Sequence, residues 1–336
     1  MEARIKERFS DDILRAALRC YGVTEAQVQL LDGFESFIYA FTDDTGEYIL
    51  RISHSLRRSV AQICGEADWI NYLVKGGASA AGAIFSMNGK LVEAIDDGHG
   101  GQFLATVFFK AHGTFADEVG WTTMLYEQYG RALGKMHALT KDYTPTKPEW
   151  KRPEWDSEGN LEIEAWLPDT ESIAIDRFWK VKAQIDALPR DRESYGLIHQ
   201  DAHADNFFVD EAGNLTFFDF DDCVYGWFIY DIVVVLFYKA MWAEDRAAYT
   251  HEFMSHFLRG YAQENKLDPM WLQTIPHFLK LREIDLYAVI HRSYDVNHLE
   301  NAWDAGYMKN RKALIESDAP YIDFDFMTLA DYLSVS

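Results

Sequence analysis

Positive charge is what this sequence lacks most. Its 336 residues hold 32 Lys and Arg against 54 Asp and Glu, a net charge of −22. A nucleic-acid binder must meet phosphates with a basic surface that releases their counterions, so no nucleic-acid partner is expected. Cysteine is nearly absent too. Cys20, Cys64 and Cys223 are odd in number, far apart and without CxxC spacing. That pattern argues against a disulfide scaffold or a zinc knuckle and suits a reducing compartment. Long apolar runs are also missing. The longest aliphatic stretch, IVVVLF at 232–237, falls far short of the ~20 residues a membrane helix needs. The opening MEARIKERFSDD has no apolar run, so no secretory signal is expected, no membrane association, and a cytoplasmic location.

What is present is an ordinary folding composition, 48% hydrophobic and 15% aromatic, over a length that suits two domains. The acidic balance favours a cationic partner, with plain solubility as the bland alternative. Residues 1–110 read as a small β lobe. SDDILRAALRCYGV (10–23) reads as a helix capped at Ser10 and ending near Gly22. Residues 36–42 and 47–53 form a hairpin across the turn Asp43-Asp44-Thr45-Gly46. A helix around 57–75 carries Glu66 and Trp69. IFSMNGKLVEAI (84–95) reads as another hairpin with Asn88-Gly89 at its turn, and FLATVFF (103–109) as the last strand. The expectation is five strands with one helix packed on them, then a hinge near 108–114. Residues 111–336 read as mainly helical, with helices at 121–140, 170–187, 227–243, 245–265 and 271–295. A Pro- and Trp-rich loop follows residue 143. The fold class is α+β: a small antiparallel β lobe and a larger, mainly helical lobe with one embedded hairpin.

That hairpin lies in LIHQDAHADNFFVDEAGNLTFFDFDD (197–222), which packs seven carboxylates into 26 residues. NFFV and LTFFDF are strands about the turn Asp210-Glu211-Ala212-Gly213-Asn214, and pairing about residue 212 sets 206 opposite 218. Asn206 and Asp219 then meet at the open end, with Asp201 just upstream. Such oxygen donors suit Mg²⁺. A zinc reading of His199, Asp201, His203 and Asp205 fares worse. Alternate residues of an extended segment lie about 7 Å apart on one face, so one ion cannot take all four, and there is no HExxH glutamate. The spacing His199-Gln200-Asp201, four residues, Asn206, then Asp219 follows the phosphoryl-transfer pattern H-R-D-x-x-x-x-N and D-F-G. Phosphoryl transfer needs a carboxylate to orient the attacking hydroxyl, and an amide with a second carboxylate to hold the metal on the phosphates. An acidic surface hairpin explains Asp210 and Glu211. It does not explain Asp219 among phenylalanines, where an unpaired charge is costly.

On these residues the chain resembles the aminoglycoside phosphotransferase and choline kinase superfamily of protein-kinase-like small-molecule kinases. HQDAHADN is similar to its H-x-D-x-x-x-x-N loop, FFDFDD to its strand end, ALGKMHAL (132–139) to its helix ending in Leu-His, and YILRIS to its phosphate-contacting strand. The resemblance implies a two-lobe fold with the nucleotide phosphates on the 1–110 side. It implies ATP, with GTP as an alternative, and Mg²⁺. It further implies Asp201 as catalytic base and Asn206 and Asp219 as metal ligands. Asp221, and more loosely Asp205 and Asp222, would stand near metal or substrate. His199 and Asp231 would be structural, the latter as an acid at a helix start. His203 faces either substrate or solvent.

Three departures from the family pattern stand out. Arg51 occupies the usual lysine position, with Glu66 as its expected partner, unless Arg51 is merely an exposed strand charge. The glycine-rich loop is reduced to DGFESF (32–37), where Gly33 and Ser36 would approach phosphate. Gln200 replaces the arginine that docks an activation loop in many protein kinases, and only about ten residues separate Asp219 from the next helix. That leaves no peptide platform and favours a small acceptor: an antibiotic, an amino alcohol, a homoserine-like metabolite or a sugar. The acids around Asp201, Asp205, Asp221 and Asp222 would attract an amine on it. A compact stress-response-type Ser/Thr protein kinase and a non-catalytic binding protein of the same fold are the alternatives. The sequence says nothing of oligomeric state.

Overall fold

The computed structural model describes residues 3–31, 33, 35–157 and 161–334. Asp32 and Phe34 of the reduced glycine loop, and 158–160 of the Pro- and Trp-rich loop, lie outside the described residues. The chain forms two compact units, each assembled from three segments. The first comprises 1–119, 142–153 and 205–223, the second 120–141, 154–204 and 224–336.

The first unit begins with helices α1 (Ala3–Lys6) and α2 (Asp11–Cys20) and strands β1 (Val28–Leu31), β2 (Phe37–Asp43) and β3 (Gly46–His54). Then come α3 (Val60–Lys75), β4 (Ala83–Ile84), β5 (Glu93–Asp96), β6 (Gln102–Phe109) and α4 (Ala116–Val119). The sheet is antiparallel in the order β1-β2-β3-β6-β4, with β5 also on β6. Ile13, Ala17 and Leu18 of α2 share a core with Tyr39, Leu50, Ile52, Phe103 and Val107. Leu50 and Ile52 face this core, so strand alternation turns Arg51 to the other face. Helix α3 starts with a capping box between Ser59 and Gln62. At α2, Ser10 makes no side-chain cap; its carbonyl alone accepts from Ile13 and Leu14.

The sheet has six strands, not five, and 84–95 is not a hairpin of two paired strands. Ala83 pairs with Phe108 and Glu93 with Ala105, so β4 and β5 both pair with β6. The reason lies between them. The Ser86 hydroxyl accepts from the backbone N–H of Asn88 and Lys90 and donates to Glu93. These bonds, with the backbone bonds from Ser86 N–H to Lys90 and from Gly89 N–H to Ser86, close the Asn88-Gly89 turn, and β6 supplies the strand pairing on either side.

Strands β8 (Phe207–Val209) and β9 (Leu215–Phe217) pair Phe207 with Phe217 about residue 212, as expected. The hairpin belongs to the first unit because both its edges are taken there. Phe217 exchanges backbone hydrogen bonds with Ser79 and Ala81, and Val209 with Thr114.

The second unit contains α5 (Thr123–Thr140), α6 (Ile163–Trp166), α7 (Ser172–Asp186) and α8 (Phe228–Ala240). It continues with α9 (Arg246–Glu264), α10 (Ile275–Ser293), α11 (Ala302–Met308) and α12 (Arg311–Glu316). A two-stranded antiparallel sheet pairs β7 (Tyr195–Ile198) with β10 (Val224–Trp227). Helices α5 and α9 come close because glycines face each other's backbone. A Cβ on Gly130 would sit 1.8 Å from the Phe257 carbonyl oxygen, and one on Gly260 1.8 Å from that of Glu127. Among the described residues no helix is long and apolar enough to cross a membrane.

Candidate active site

In the first unit the centre is Arg51, buried and paired fork to fork with Glu66 of α3 at 2.8 and 2.5 Å. It is not an exposed strand charge. Its guanidinium also lies 3.8 Å from Asp219 and 4.0 Å from Asp221. Asp221 is buried and bonded to Arg57, with the Arg58 Nε at 3.7 Å, while Asp222 pairs with Arg58 at 2.7 Å. Burial would raise the Asp221 pKa, but Arg57, Arg58, Arg51 and Arg152 outweigh it and hold the carboxyl well below the usual range. Arg57 also pairs with Glu35, in the reduced glycine loop. Ser36 is buried and Gly33 exposed.

The Asn206 carbonyl accepts from the Phe218 N–H at 2.9 Å, so Asn206 and Asp219 sit at the open end of the hairpin. Asp219 has φ +59°, a left-handed conformation that is uncommon for a residue with a side chain and tends to mark functional turns. The next residue, Phe220, is buried edge-on against Trp69. Arg152 fixes the turn from behind, donating to the carbonyls of Asp221 (2.6 Å), Cys223 (2.8 Å) and Gln62 (2.9 Å).

The Asp219 carboxyl is pushed up to about 7, by desolvation and, against Arg51, by the negative charges of Asp221, Asp222 and Glu66. The side chain is 59% exposed, so solvent moderates this push. These residues fit a divalent cation. A carboxylate disfavoured by its neighbours is one that a cation would satisfy, and the amide oxygen of Asn206 is a hard donor. Among the described residues no three His, Cys, Asp or Glu groups form a metal-holding cluster. Mg²⁺ does not need one, since it keeps waters and takes substrate phosphates beside one or two protein ligands.

In the second unit the centre is Asp201. Its Oδ1 accepts from Arg282 of α10 at 2.6 Å, and its Oδ2 lies 3.3 Å from His203 Nε2. Burial would raise its pKa, but His203, Arg282 and His199 outweigh burial and keep it well below the carboxylate range. His203 is not a loose surface group: its side chain is only 17% exposed and its ring lies 4.7 Å from that of Tyr238.

The loop around Asp201 is held by Asp231, buried in the first turn of α8. Its two oxygens accept the N–H groups of His199 (2.8 Å) and Gln200 (2.6 Å). Asp231 thus acts on the loop backbone through these bonds, besides lying at a helix start. Gln200 takes a left-handed φ of +68°, and Tyr129 donates to the Ala202 carbonyl. His199 is buried and Asp205 exposed in the turn 204–206.

Sequence reasoning did not find Arg282, Tyr238, Arg57, Arg58 or Arg152. Only the apolar residues around Arg282 in LKLREIDLYAVI hinted that a cation there must be paired inside. The pairing also bears on the expected attraction for an amine. Asp201, Asp221 and Asp222 are each matched by arginine, so their charge is already largely balanced.

The first unit thus carries a helix-paired Arg–Glu beside a hairpin ending in Asn and Asp, and the second an aspartate on a loop pinned by a buried carboxylate. Residues 27–269 match the model of the family described as "Phosphotransferase enzyme family", and the chain belongs to that family. It is 40% identical over 334 residues to the amicoumacin kinase of Bacillus subtilis (strain 168), covering 97% of this chain and 98% of the relative. Among solved structures it is similar to amicoumacin kinase in complex with AMP-PNP, Ca²⁺ and Ami, with a TM-score of 0.92, 39% identity and coverage of 98% of this chain and 100% of the other. A microcompartment-associated aminopropanol kinase shares the fold at a TM-score of 0.73 and 22% identity, over 93% and 99% of the two chains. The chain is therefore a phosphotransferase of protein-kinase-like α+β fold that phosphorylates a hydroxyl of a small molecule.

Proposed function

We propose that the chain is an amicoumacin kinase, moving the γ-phosphoryl group of ATP to a hydroxyl of amicoumacin or a closely related amino-alcohol compound. The observation that carries this is the 40% identity to amicoumacin kinase along nearly the whole of both chains. In this reading the acceptor oxygen bonds to the γ-phosphorus as the bridging bond to the β-phosphate breaks, and ADP leaves. The hydroxyl proton passes to the Asp201 carboxylate. Asn206 and Asp219 would hold Mg²⁺, which when bound screens the phosphate charge. Arg51, steadied by Glu66, meets the phosphates, and Gly33 and Ser36 lie in the loop that approaches them. Residues 1–110 serve the nucleotide phosphates, and 111–336 supply the catalytic loop, the metal ligands and the acceptor site. GTP as donor is the variant to test beside ATP. The acceptor's amine is drawn by the net charge of −22 more than by the arginine-matched acids. The reaction suits the cytoplasm, where ATP is plentiful and Cys20, Cys64 and Cys223 stay reduced.

The test is Mg²⁺-dependent ADP release with amicoumacin, beside a panel of aminoglycosides, amino alcohols and sugars. Turnover stimulated by amicoumacin, and reduced about 10²–10⁴-fold in Asp201→Asn, is the expected result. Stimulation by another panel member alone would reassign the acceptor. Equal turnover in Asp201→Asn would remove Asp201 from the role of base.

A further inference from the structure

Resting on the reading of Asp201 as the proton acceptor, we propose that Arg282 is a positioning residue for the phosphoryl transfer, acting through Asp201. Arg282 stands 81 residues further along the chain, on α10, and is 12% exposed. One terminal nitrogen donates both to Asp201 Oδ1 at 2.6 Å and to the Tyr238 hydroxyl at 2.8 Å. The other donates to Asp285 at 3.1 Å, one helical turn along α10. The guanidinium also lies 5.3 Å from the centre of the Tyr238 ring. Arg282 is thus itself held by two partners, which makes it a fixed point rather than a flexible counterion.

The two oxygens of Asp201 are approached from two sides. Arg282 takes Oδ1 and His203 lies at Oδ2, and Tyr238 braces both side chains by bonding one and packing on the other. This fixes the carboxylate plane. Each carboxylate oxygen has two lone pairs, so an oxygen that accepts from Arg282 keeps the capacity to meet a hydroxyl as well. The groups facing Asp201 are His199 and His203 from its loop and Arg282 from α10, with Tyr238 of α8 and Asp285 acting on Arg282.

Such an arrangement weakens Asp201 as a base while improving its aim. Phosphoryl transfer tolerates that exchange. Its transition state is loose, little proton transfer is needed early, and catalysis rests on positioning and charge. A misplacement of about 1 Å can cost on the order of 100-fold. Lysine would not substitute fully, because a point charge cannot reproduce the planar fork that reaches Asp201, Tyr238 and Asp285 together.

The test compares wild type, Arg282→Gln, Arg282→Lys, Asp201→Asn and the Arg282→Gln/Asp201→Asn double variant, with ATP, Mg²⁺ and amicoumacin. Arg282→Gln should lower kcat about 10- to 100-fold with KM for ATP little changed, and should move the acidic limb of the pH–rate profile upward. Arg282→Lys should return the limb toward wild type while recovering only part of kcat. In the Asp201→Asn background, Arg282→Gln should cost almost nothing further, as expected of residues acting as a unit. Additive losses, or an Arg282→Gln enzyme with wild-type kcat and acidic limb, would overturn the proposal. A readout without turnover separates this from the choice of acceptor. The Asp201 carboxyl carbon, assigned by its loss in Asp201→Asn, is titrated by ¹³C NMR in wild type and Arg282→Gln. An upward displacement in Arg282→Gln supports the proposal even if amicoumacin is not the acceptor, and an unmoved titration defeats it. Arg282→Gln/Asp285→Asn, which removes the Asp285 charge together with its arginine, serves both measurements if Arg282→Gln folds poorly.

Discussion

His137 and Asp231 are joined by a 3.0 Å hydrogen bond between helices α5 and α8, both side chains buried. The carboxylate can only accept, so Nε2 carries a proton, and Nδ1 is hydrogen-bonded to the Tyr261 hydroxyl at 2.9 Å. Asn265 in turn donates to Tyr261 at 2.8 Å. The chain of bonds from Asn265 to Asp231 ends on the backbone of His199 and Gln200, so the orientation of the Asp201 loop is set by a buried relay on three helices.

Asp231→Asn should therefore damage the loop before anything else. An amide has one acceptor oxygen and brings two donors of its own to a place where three donors already converge. Each buried donor left unmatched costs about 1–3 kcal/mol. We expect a clear loss of thermal stability, and greater protease sensitivity between Leu197 and Asp205. A melting temperature equal to wild type would show that the relay does not bear on the loop.

Glu66→Gln should leave the Arg51 guanidinium buried with only half its neutralisation, since Asp219 and Asp221 stand at 3.8 and 4.0 Å. Breaking a buried pair from one side costs about 3–5 kcal/mol, whereas replacing both partners with apolar residues is often close to neutral. Urea unfolding should rank Arg51→Met/Glu66→Leu above Glu66→Gln in stability. Nucleotide titration should show both variants weak for ATP. The opposite stability order would refute the account of the pair.

The raised pKa of Asp219, about 7, gives the metal-free protein a pH dependence of definite sign. Below about pH 4 the carboxyl is protonated in folded and unfolded chains alike. Between there and 7 the folded state keeps a proton that the unfolded state releases. Stability from this group is thus full at acidic pH and lost as pH rises through 7. Asp219→Asn should make the metal-free protein relatively more stable than wild type at pH 8 than at pH 5. Mg²⁺ should stabilise wild type more at pH 8 and release protons on binding. Calorimetry at the two pH values checks this, and identical wild-type and variant profiles would contradict it.

Gly260→Ala would place a methyl group 1.8 Å from the Glu127 carbonyl oxygen. Backbone cannot swing aside as a side chain can, so α5 and α9 must separate. Overpacking of this kind costs about 1–3 kcal/mol, visible as a lowered unfolding midpoint. An unchanged midpoint would mean that the two helices slide freely.

Much of this was legible in the sequence where the signal is local. The five long helices follow their apolar spacing, and the hairpin about residue 212 follows its turn. The Arg51–Glu66 pair is reached through the family resemblance, which sets a strand cation against an acid of the following helix. What stayed hidden depends on partners far away along the chain. Strands β4 and β5 look like a hairpin until β6 is there to pair with both. Arg282 meets Asp201 across 81 residues, and Arg152 meets Asp221 across 69. His203 has the look of a surface loop residue until Tyr238 covers one face of it.

The threading of the units sets a condition on the order of assembly during synthesis. The first unit cannot be completed when its sheet has emerged from the ribosome. Phe217 must still arrive to bond with Ser79 and Ala81, and Val209 to bond with Thr114. The segment 142–153 must also bring Arg152 to the carbonyls of Gln62 and Asp221. Until the segment 205–223 is made, the backbone groups of Ser79, Ala81 and Thr114 lack these partners, although all of α5 and the loop holding Asp201 have by then been synthesised. A nascent chain stalled near residue 120 thus carries a complete six-stranded sheet in an incomplete unit, and the polypeptide passes through this stage each time it is translated.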